Sequence, residues 1–429
     1  MIRFLYNLLW PVGLIFFLPG YLVKMFRRGN YREKFGQRLG IYERQLRARL
    51  YWKKSIWLHA VSVGEVSIAL RLAHQVHRLN PDLHCVLTTT TTTGFAFANK
   101  SVPDWIEVMY SPLDFWPIMR RAFSVIRPKK IVLVEAEVWP NLVAEARARK
   151  VPIALVNARL SPRSEKRFRA FRNVVAPIFR MLDAVCVQTP EDVERWKALG
   201  VDRERIHLFG SIKFDPEDVK IDPALAREVL AGFGLDKRTV IFGGSTHSGE
   251  EKLLAEVFRA LKRDFVDLLL VLAPRHTERT AEIRRELDGI GFSLALRSQM
   301  PAPDPFLDCL LIDSTGELRH WYGSATVVFV GKSLLARGGQ NPAEAILAGK
   351  PVLFGPHMEN FTALANALVA NGGAVQVNSA TELRRAMTQL LANPDEREKI
   401  VQNARNTLDI HRGATARTAQ FILDLTSAS

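Results

Sequence analysis

Five segments of the chain bring together residue types that could do chemistry. The first, His59-Ala60-Val61-Ser62-Val63-Gly64-Glu65-Val66, reads as a strand end, a glycine turn and a helix start that carries a carboxylate. A helix N-terminus stabilises an anion, and a carboxylate at the mouth of a lobe can act as a general base; the plainer reading of Glu65 is a first-turn helix charge. The second, Val134-Glu135-Ala136-Glu137-Val138-Trp139-Pro140-Asn141, sets two glutamates at i and i+2 at the end of an apolar run. On a strand these point the same way and could bind cations or hydroxyls; alternatively, one glutamate holds a basic loop such as that around Arg159.

The other three segments lie in the second half. In Gly243-Gly244-Ser245-Thr246-His247-Ser248-Gly249-Glu250-Glu251, small residues after a strand let backbone amides approach a phosphate, and hydroxyls add donors. A purely structural turn is the alternative, and neither GxGxxG nor GK[ST] occurs in it, so it carries no dinucleotide or ATP signature. In Ala273-Pro274-Arg275-His276-Thr277-Glu278-Arg279 a guanidinium follows a strand, where it could pair with phosphate or carboxylate in two-point geometry. Gly338-Gly339-Gln340-Asn341-Pro342-Ala343-Glu344 leads into a helix. Glu344 could accept both hydroxyls of a ribose, or it is an ordinary surface helix residue.

Positioning these segments takes alternating strands and helices. Apolar, β-rich runs at Ser55–His59, Cys85–Thr90, Ile131–Val134, Ile153–Asn157 and Ala184–Gln188 alternate with amphipathic stretches such as Val66–Leu79 and Asn141–Arg149. That alternation is the signature of βα units and a parallel sheet. The pattern restarts near residue 238, with runs at Thr239–Gly243, Leu268–Ala273, Cys309–Ile312, Val327–Val330 and Pro351–Phe354. The expected fold class is therefore α/β with two Rossmann-like lobes, 31–215 and 216–429, and a hinge within Gly210–Asp222. Two such lobes would leave a cleft beyond the carboxyl ends of their strands. The threonine run Thr88–Thr93 reads as a capped strand-to-helix turn, with ligand contact as the alternative.

Of 429 residues, 48% are hydrophobic and 24% charged, which is the balance of a folded protein with a real core. Cys85, Cys186 and Cys309 are scattered and odd in number, so they suggest neither a disulfide framework nor a zinc site. No metal and no cofactor is expected. The formal net charge of +15 calls for an anionic partner, and its placement says which. Between Lys24 and Lys54 stand eleven Lys and Arg against two Glu, directly after the uncharged, twenty-residue apolar run Phe4–Val23. A helix over that run would measure about 30 Å, the thickness of a bilayer's hydrocarbon. Lys24-Met25-Phe26-Arg27-Arg28 follows where a signal peptide would be cleaved, so residues 1–30 read as a membrane anchor, spanning or embedded, with the basic flank and the catalytic body on the cytoplasmic side. A basic stretch beside an apolar run, without interleaved aromatics of the RNP type, argues against nucleic acid.

Taken in order, these segments resemble the Kdo (3-deoxy-D-manno-octulosonic acid) transferases, a family with the glycosyltransferase-B fold. The likeness runs from Gly36-Gln37-Arg38-Leu39-Gly40 to Phe361, through HAVSVGEV, VEAEVWPN, NARLS, GSIKFD, GSTHSGEE, APRH, TGEL, GGQNPAE and GKPVLFGPHMENF. The resemblance implies inverting transfer of Kdo from CMP-Kdo to lipid A precursor at the cell inner membrane, as part of lipopolysaccharide core synthesis. It implies Glu65 as the base, with Ser245, Thr246, Arg275, Asn341 and Glu344 holding the CMP part. Glu137, Arg159 and Lys213 fall on the acceptor or sugar side. Three positions depart from the family's usual residues: Ala136 stands for Thr, Ser211 for Asn and Gln340 for His. Rival readings are another nucleotide-sugar transferase acting on a lipid or cell-envelope acceptor, and a non-catalytic, membrane-tethered lipid-binding protein.

Overall fold

In the computed structural model, the apolar runs of each half assemble into a seven-stranded sheet in which every pairing is parallel. The structure describes residues 3–10, 13, 34–53, 55–100, 102–215, 222–299, 304 and 306–426. The chain divides into two units: Met1–Asp215 with His411–Ser429, and Pro216–Ile410.

The first unit contains β1 (Ser55–Ala60), β2 (His84–Thr89), β3 (Ile106–Tyr110), β4 (Pro128–Val134), β5 (Ile153–Ala158), β6 (Ala184–Val187) and β7 (Ile206–Leu208). Their order across the sheet is β3-β2-β1-β4-β5-β6-β7. Both faces are covered, which is why the central strands read as near-continuous apolar runs. The period of two sorts them: Ile56, Leu58, Val132 and Val134 meet the helix Val63–Leu79 on one face, while Trp57, Ile131, Leu133 and Phe123 fill the other.

The second unit contains β8 (Thr239–Thr246), β9 (Leu268–Pro274), β10 (Leu294–Leu296), β11 (Cys309–Leu311), β12 (Val327–Val330), β13 (Val352–Phe354) and β14 (Val375–Gln376). They are ordered β10-β11-β9-β8-β12-β13-β14. Ile241, Leu270, Leu272, Phe329 and Leu353 form its core with Leu254 and Phe258 of the helix Glu250–Leu261. In each sheet the order reverses beside the first strand of the unit, between β1 and β4 and between β8 and β12. Ligands of open α/β sheets bind at such switch points, beyond the carboxyl ends of the strands.

One boundary is corrected. The last helix, Ala414–Asp424, belongs to the first unit and not to a second lobe that runs to residue 429. Its Ala419 and Ile422 are buried in the same cluster as Leu72 and Val76 of the helix Val63–Leu79. The Lys130 ammonium donates to the carbonyls of Ile422 and Leu423 at its far end. Asp215 holds its start, accepting the Gly413 N–H at 3.0 Å and the Thr415 N–H at 2.7 Å. Ile422→Ala is expected to cost the first unit about 2–5 kcal/mol, read by chemical denaturation. Of the expected hinge, residues 216–221 lie outside the described residues, and Ile212 and Phe214 are buried.

Most of the anchor expected at 1–30 also lies outside the described residues. Residues 3–10 are helical and sit polar side inward. The Asn7 side-chain amide donates to Asn141 Oδ1 at 2.8 Å, Asn141 returns a bond to Asn7 Oδ1 at 3.0 Å, and Trp10 stacks on Phe115. Phe4, Leu5, Leu8 and Leu9 are left exposed, Phe4 by 73%. Among the described residues, no helix is long and apolar enough to cross a membrane.

Candidate functional site

At the switch point of the first unit, the segment after β1 turns directly into the helix Val63–Leu79. Ser62 caps that helix, its Oγ accepting the Glu65 N–H at 3.3 Å. The Glu65 carboxylate answers, with Oε1 accepting the Ser62 hydroxyl at 2.8 Å and Oε2 the Val61 N–H at 2.9 Å. This is the reciprocal Ser-x-x-Glu arrangement of helix starts, so the plain structural role of Glu65 is real. The carbonyl of Val61 is fixed as well, by the hydroxyls of Thr89 and Thr91, and Thr91 caps the next helix through the Gly94 N–H at 3.0 Å. The threonine run is thus a capped turn that holds the Glu65 loop.

Glu65 is 9% exposed. Burial pushes its carboxyl above the ordinary range, the bonds from Val61 and Ser62 oppose that, and Glu135 adds to it. Glu137 is pushed up to about 7, first by burial and then by the charges of Glu65 and Glu135. Both glutamates of the second segment lie past the end of β4, in a turn and not on the strand, with Glu135 at φ 61°. Arg159 Nε stands 3.6 Å from Glu135 Oε2. Burial lowers the Lys213 ammonium to about 8, against the pull of Glu135. The structure therefore gathers Glu65, Glu137, Arg159 and Lys213 around Glu135, and the Glu135–Arg159 pair matches the basic-loop reading of the second segment. A carboxylate raised by burial beside other carboxylates is a proton acceptor suited to near-neutral pH.

At the switch point of the second unit, β8 ends in Ser245 and Thr246, both buried. Its glycines serve packing more than ligand approach: a Cβ at Gly243 would stand 2.7 Å from Leu254 Cδ1, and one at Gly244 2.7 Å from the Tyr322 hydroxyl oxygen. The Arg275 N–H donates to the Thr246 carbonyl at 3.0 Å, tying the fourth segment to the third, and the Arg275 side chain is exposed. Burial raises the Glu344 carboxyl, while the guanidinium groups of Arg319 and Arg275 pull it back down. Asn341 Oδ1 accepts the Ala343 N–H at 3.1 Å and so opens the helix that bears Glu344. Ser245, Thr246, Arg275, Asn341 and Glu344 thus share the carboxyl edge of this sheet.

Sequence reasoning missed the brace behind this edge. Glu250 is fully buried, and its carboxylate accepts four backbone N–H groups: His247 at 2.9 Å, Lys332 at 2.7 Å, Ser333 at 3.1 Å and Leu334 at 3.2 Å. The loops after β8 and β12 are held to one carboxylate. Ser245 at φ 54° and Lys332 at φ 56° sit in the left-handed region, which costs a residue with a Cβ roughly 1–2 kcal/mol and marks strand ends held for a purpose. The Gly249-Glu250 step of the third segment was the available signal, but a carboxylate in a first helical turn is too common to stand out. Among the described residues, no cluster of His, Cys, Asp and Glu could hold a metal ion.

Residues 33–216 match the family model described as 3-Deoxy-D-manno-octulosonic-acid transferase (kdotransferase), and residues 310–407 match that of glycosyl transferases group 1. The chain is 32% identical to a 3-deoxy-D-manno-octulosonic acid transferase of Haemophilus influenzae, over 92% of this chain and 91% of the relative. It is 36% identical to the protein of that description from Bordetella pertussis, over 86% and 87%. Among solved structures, UDP-GlcNAc 2-epimerase from Neisseria meningitidis covers 86% of this chain with all of its own length, at 15% identity and a TM-score of 0.59, a likeness of fold alone. Two Rossmann-like units of this kind are the glycosyltransferase-B architecture, and the chain, a glycosyltransferase, belongs to the 3-deoxy-D-manno-octulosonic acid transferase family.

Proposed function

We propose that the chain transfers Kdo from CMP-Kdo to a primary hydroxyl of lipid A precursor, by single displacement with inversion. The observation that carries this is the buried Glu65 carboxylate, raised by its surroundings at the strand-order reversal of the first unit. It takes the proton of the acceptor hydroxyl as that oxygen bonds to the anomeric carbon. The bond from that carbon to the phosphate oxygen breaks, and CMP leaves with the electron pair. One carboxylate suffices, since no covalent enzyme intermediate forms. Glu137, Arg159 and Lys213 take the acceptor or sugar side. Ser245, Thr246, Asn341 and Glu344 hold the CMP part, and Arg275 offsets phosphate charge as CMP departs.

The reading places the protein on the cytoplasmic face of the inner membrane. What supports this is the short helix at 3–10, whose Phe4, Leu5, Leu8 and Leu9 face away from the body while Asn7 and Trp10 grip it. An apolar face of that kind suits the acyl region of a bilayer, and the basic stretch after it suits anionic headgroups.

Mass spectrometry of lipid A precursor incubated with the protein and CMP-Kdo tests the whole reading. Product heavier by one or more Kdo residues is expected. Turnover with a UDP-sugar and none with CMP-Kdo would replace it by another nucleotide-sugar transfer. Arg275→Ala is expected to raise the KM for CMP-Kdo at least tenfold in the same assay, as loss of a charge-assisted contact does.

A further inference from the structure

Two residues past the end of β12 stands a lysine held in a conformation that favours glycine. At φ 56°, Lys332 is fixed from two sides: Glu250 Oε2 accepts its N–H at 2.7 Å, and its carbonyl accepts the Gly339 N–H at 2.8 Å. Its ammonium hangs over the turn at Gly338, where a Cβ would stand 3.3 Å from Lys332 Cε and 3.5 Å from Nζ. Lys332 also acts electrostatically on His247, whose ring meets the edge of His276 with centroids 5.7 Å apart, one residue along from Arg275. The nearby carboxylate, Glu250, is engaged by backbone N–H groups, and among the described residues no carboxylate pairs with the Lys332 ammonium. A half-buried cation so placed, on the strand-end edge that carries Ser245, Thr246 and Arg275, lacks only an anion from outside the chain.

We infer that Lys332 is a donor-binding residue whose ammonium meets an anionic oxygen of the CMP-sugar, on the phosphodiester or on the sugar carboxylate. This rests on the functional reading above, and it explains why the strain of a left-handed lysine persists in the loop after β12.

The test compares Lys332→Met, which removes the charge and keeps the stem, Lys332→Gly, which suits the backbone, and Lys332→Arg, which restores the charge. In the full chain with CMP-Kdo and lipid A precursor, the Met and Gly variants are expected to raise the donor KM about tenfold or more, well beyond any fall in kcat, and Arg to recover most of it. The Gly variant should melt no lower than the unaltered protein, which separates binding from folding. Inhibition by CMP then locates the oxygen: weakened in step with the KM it is the phosphate, unchanged it is the sugar carboxylate. A donor KM within twofold of the unaltered protein in both Met and Gly variants overturns the inference while leaving the functional reading intact. Absence of turnover in the unaltered protein ends both.

Discussion

Glu65→Gln is expected to cut turnover about 10²-fold or more and to leave the KM for CMP-Kdo within a few-fold. Glutamine keeps an oxygen that can accept from Val61 or Ser62, so the helix start survives in large part, but it has no basicity to offer an acceptor hydroxyl. The variant thus divides the two roles that meet in this residue. A purely structural carboxylate would show the opposite split: a lower melting point and little change in rate. Ser62→Ala is the complement, expected to cost about 1 kcal/mol of stability as a lost cap, with a far smaller effect on turnover.

The pH dependence has a definite sign. Glu65 works as a base only when deprotonated, and its carboxyl lies above the ordinary range. The charge of Glu135 adds to that rise. The kcat/KM for acceptor should therefore fall with decreasing pH, and at a higher pH than an ordinary carboxylate would give. Glu135→Gln removes a repelling charge from beside Glu65 and should move that limb to lower pH. A limb that stayed in place in Glu135→Gln and vanished in Glu65→Gln would leave Glu135 without electrostatic influence on the base.

How much of this could be read from the sequence depended on burial. Every central strand was legible, because a strand covered on both faces must be apolar throughout, as Leu268–Pro274 and Ile131–Val134 are. The strands that escaped, β3, β7, β10 and β14, are the four edges of the two sheets. Each is short or broken by polarity: Glu107 interrupts β3, His207 sits in β7, and β10 and β14 have no fully buried residue. The last helix was misassigned for a related reason. Ala419 and Ile422 announce an apolar stripe, but nothing local says which sheet that stripe will cover, and Asp215 settles it across some two hundred positions of sequence. At the sites, the residues with segment-level signatures were named in advance. That one glutamate of the second segment holds the Arg159 loop was legible but which one was not, and Glu250 had no part, because what distinguishes Glu135 and Glu250 is the set of backbone groups and charges that the fold brings to them.

Glu250→Ala is the substitution with the largest expected effect on folding. Its carboxylate lies fully buried, and its acceptor capacity is taken up by four N–H groups from two loops. Alanine would strand those donors, Ser333 and Leu334 in a buried segment, and the left-handed backbone at Lys332 would lose one of its two restraints. Each unmatched buried donor costs about 1–3 kcal/mol, and since the four are not additive and water can enter the vacated space, a total of about 3–5 kcal/mol is expected. For a unit of this size that lowers the melting point by on the order of 10 °C. Glutamine should fall between the two, because its oxygen still serves two donors while its amide NH2 faces the others. Differential scanning fluorimetry with and without CMP reads both consequences, since the loops that Glu250 ties together carry Ser245, Thr246 and Lys332. A drop of less than about 2 °C, with CMP protection unchanged, would mean that the loops after β8 and β12 hold their shape without this carboxylate.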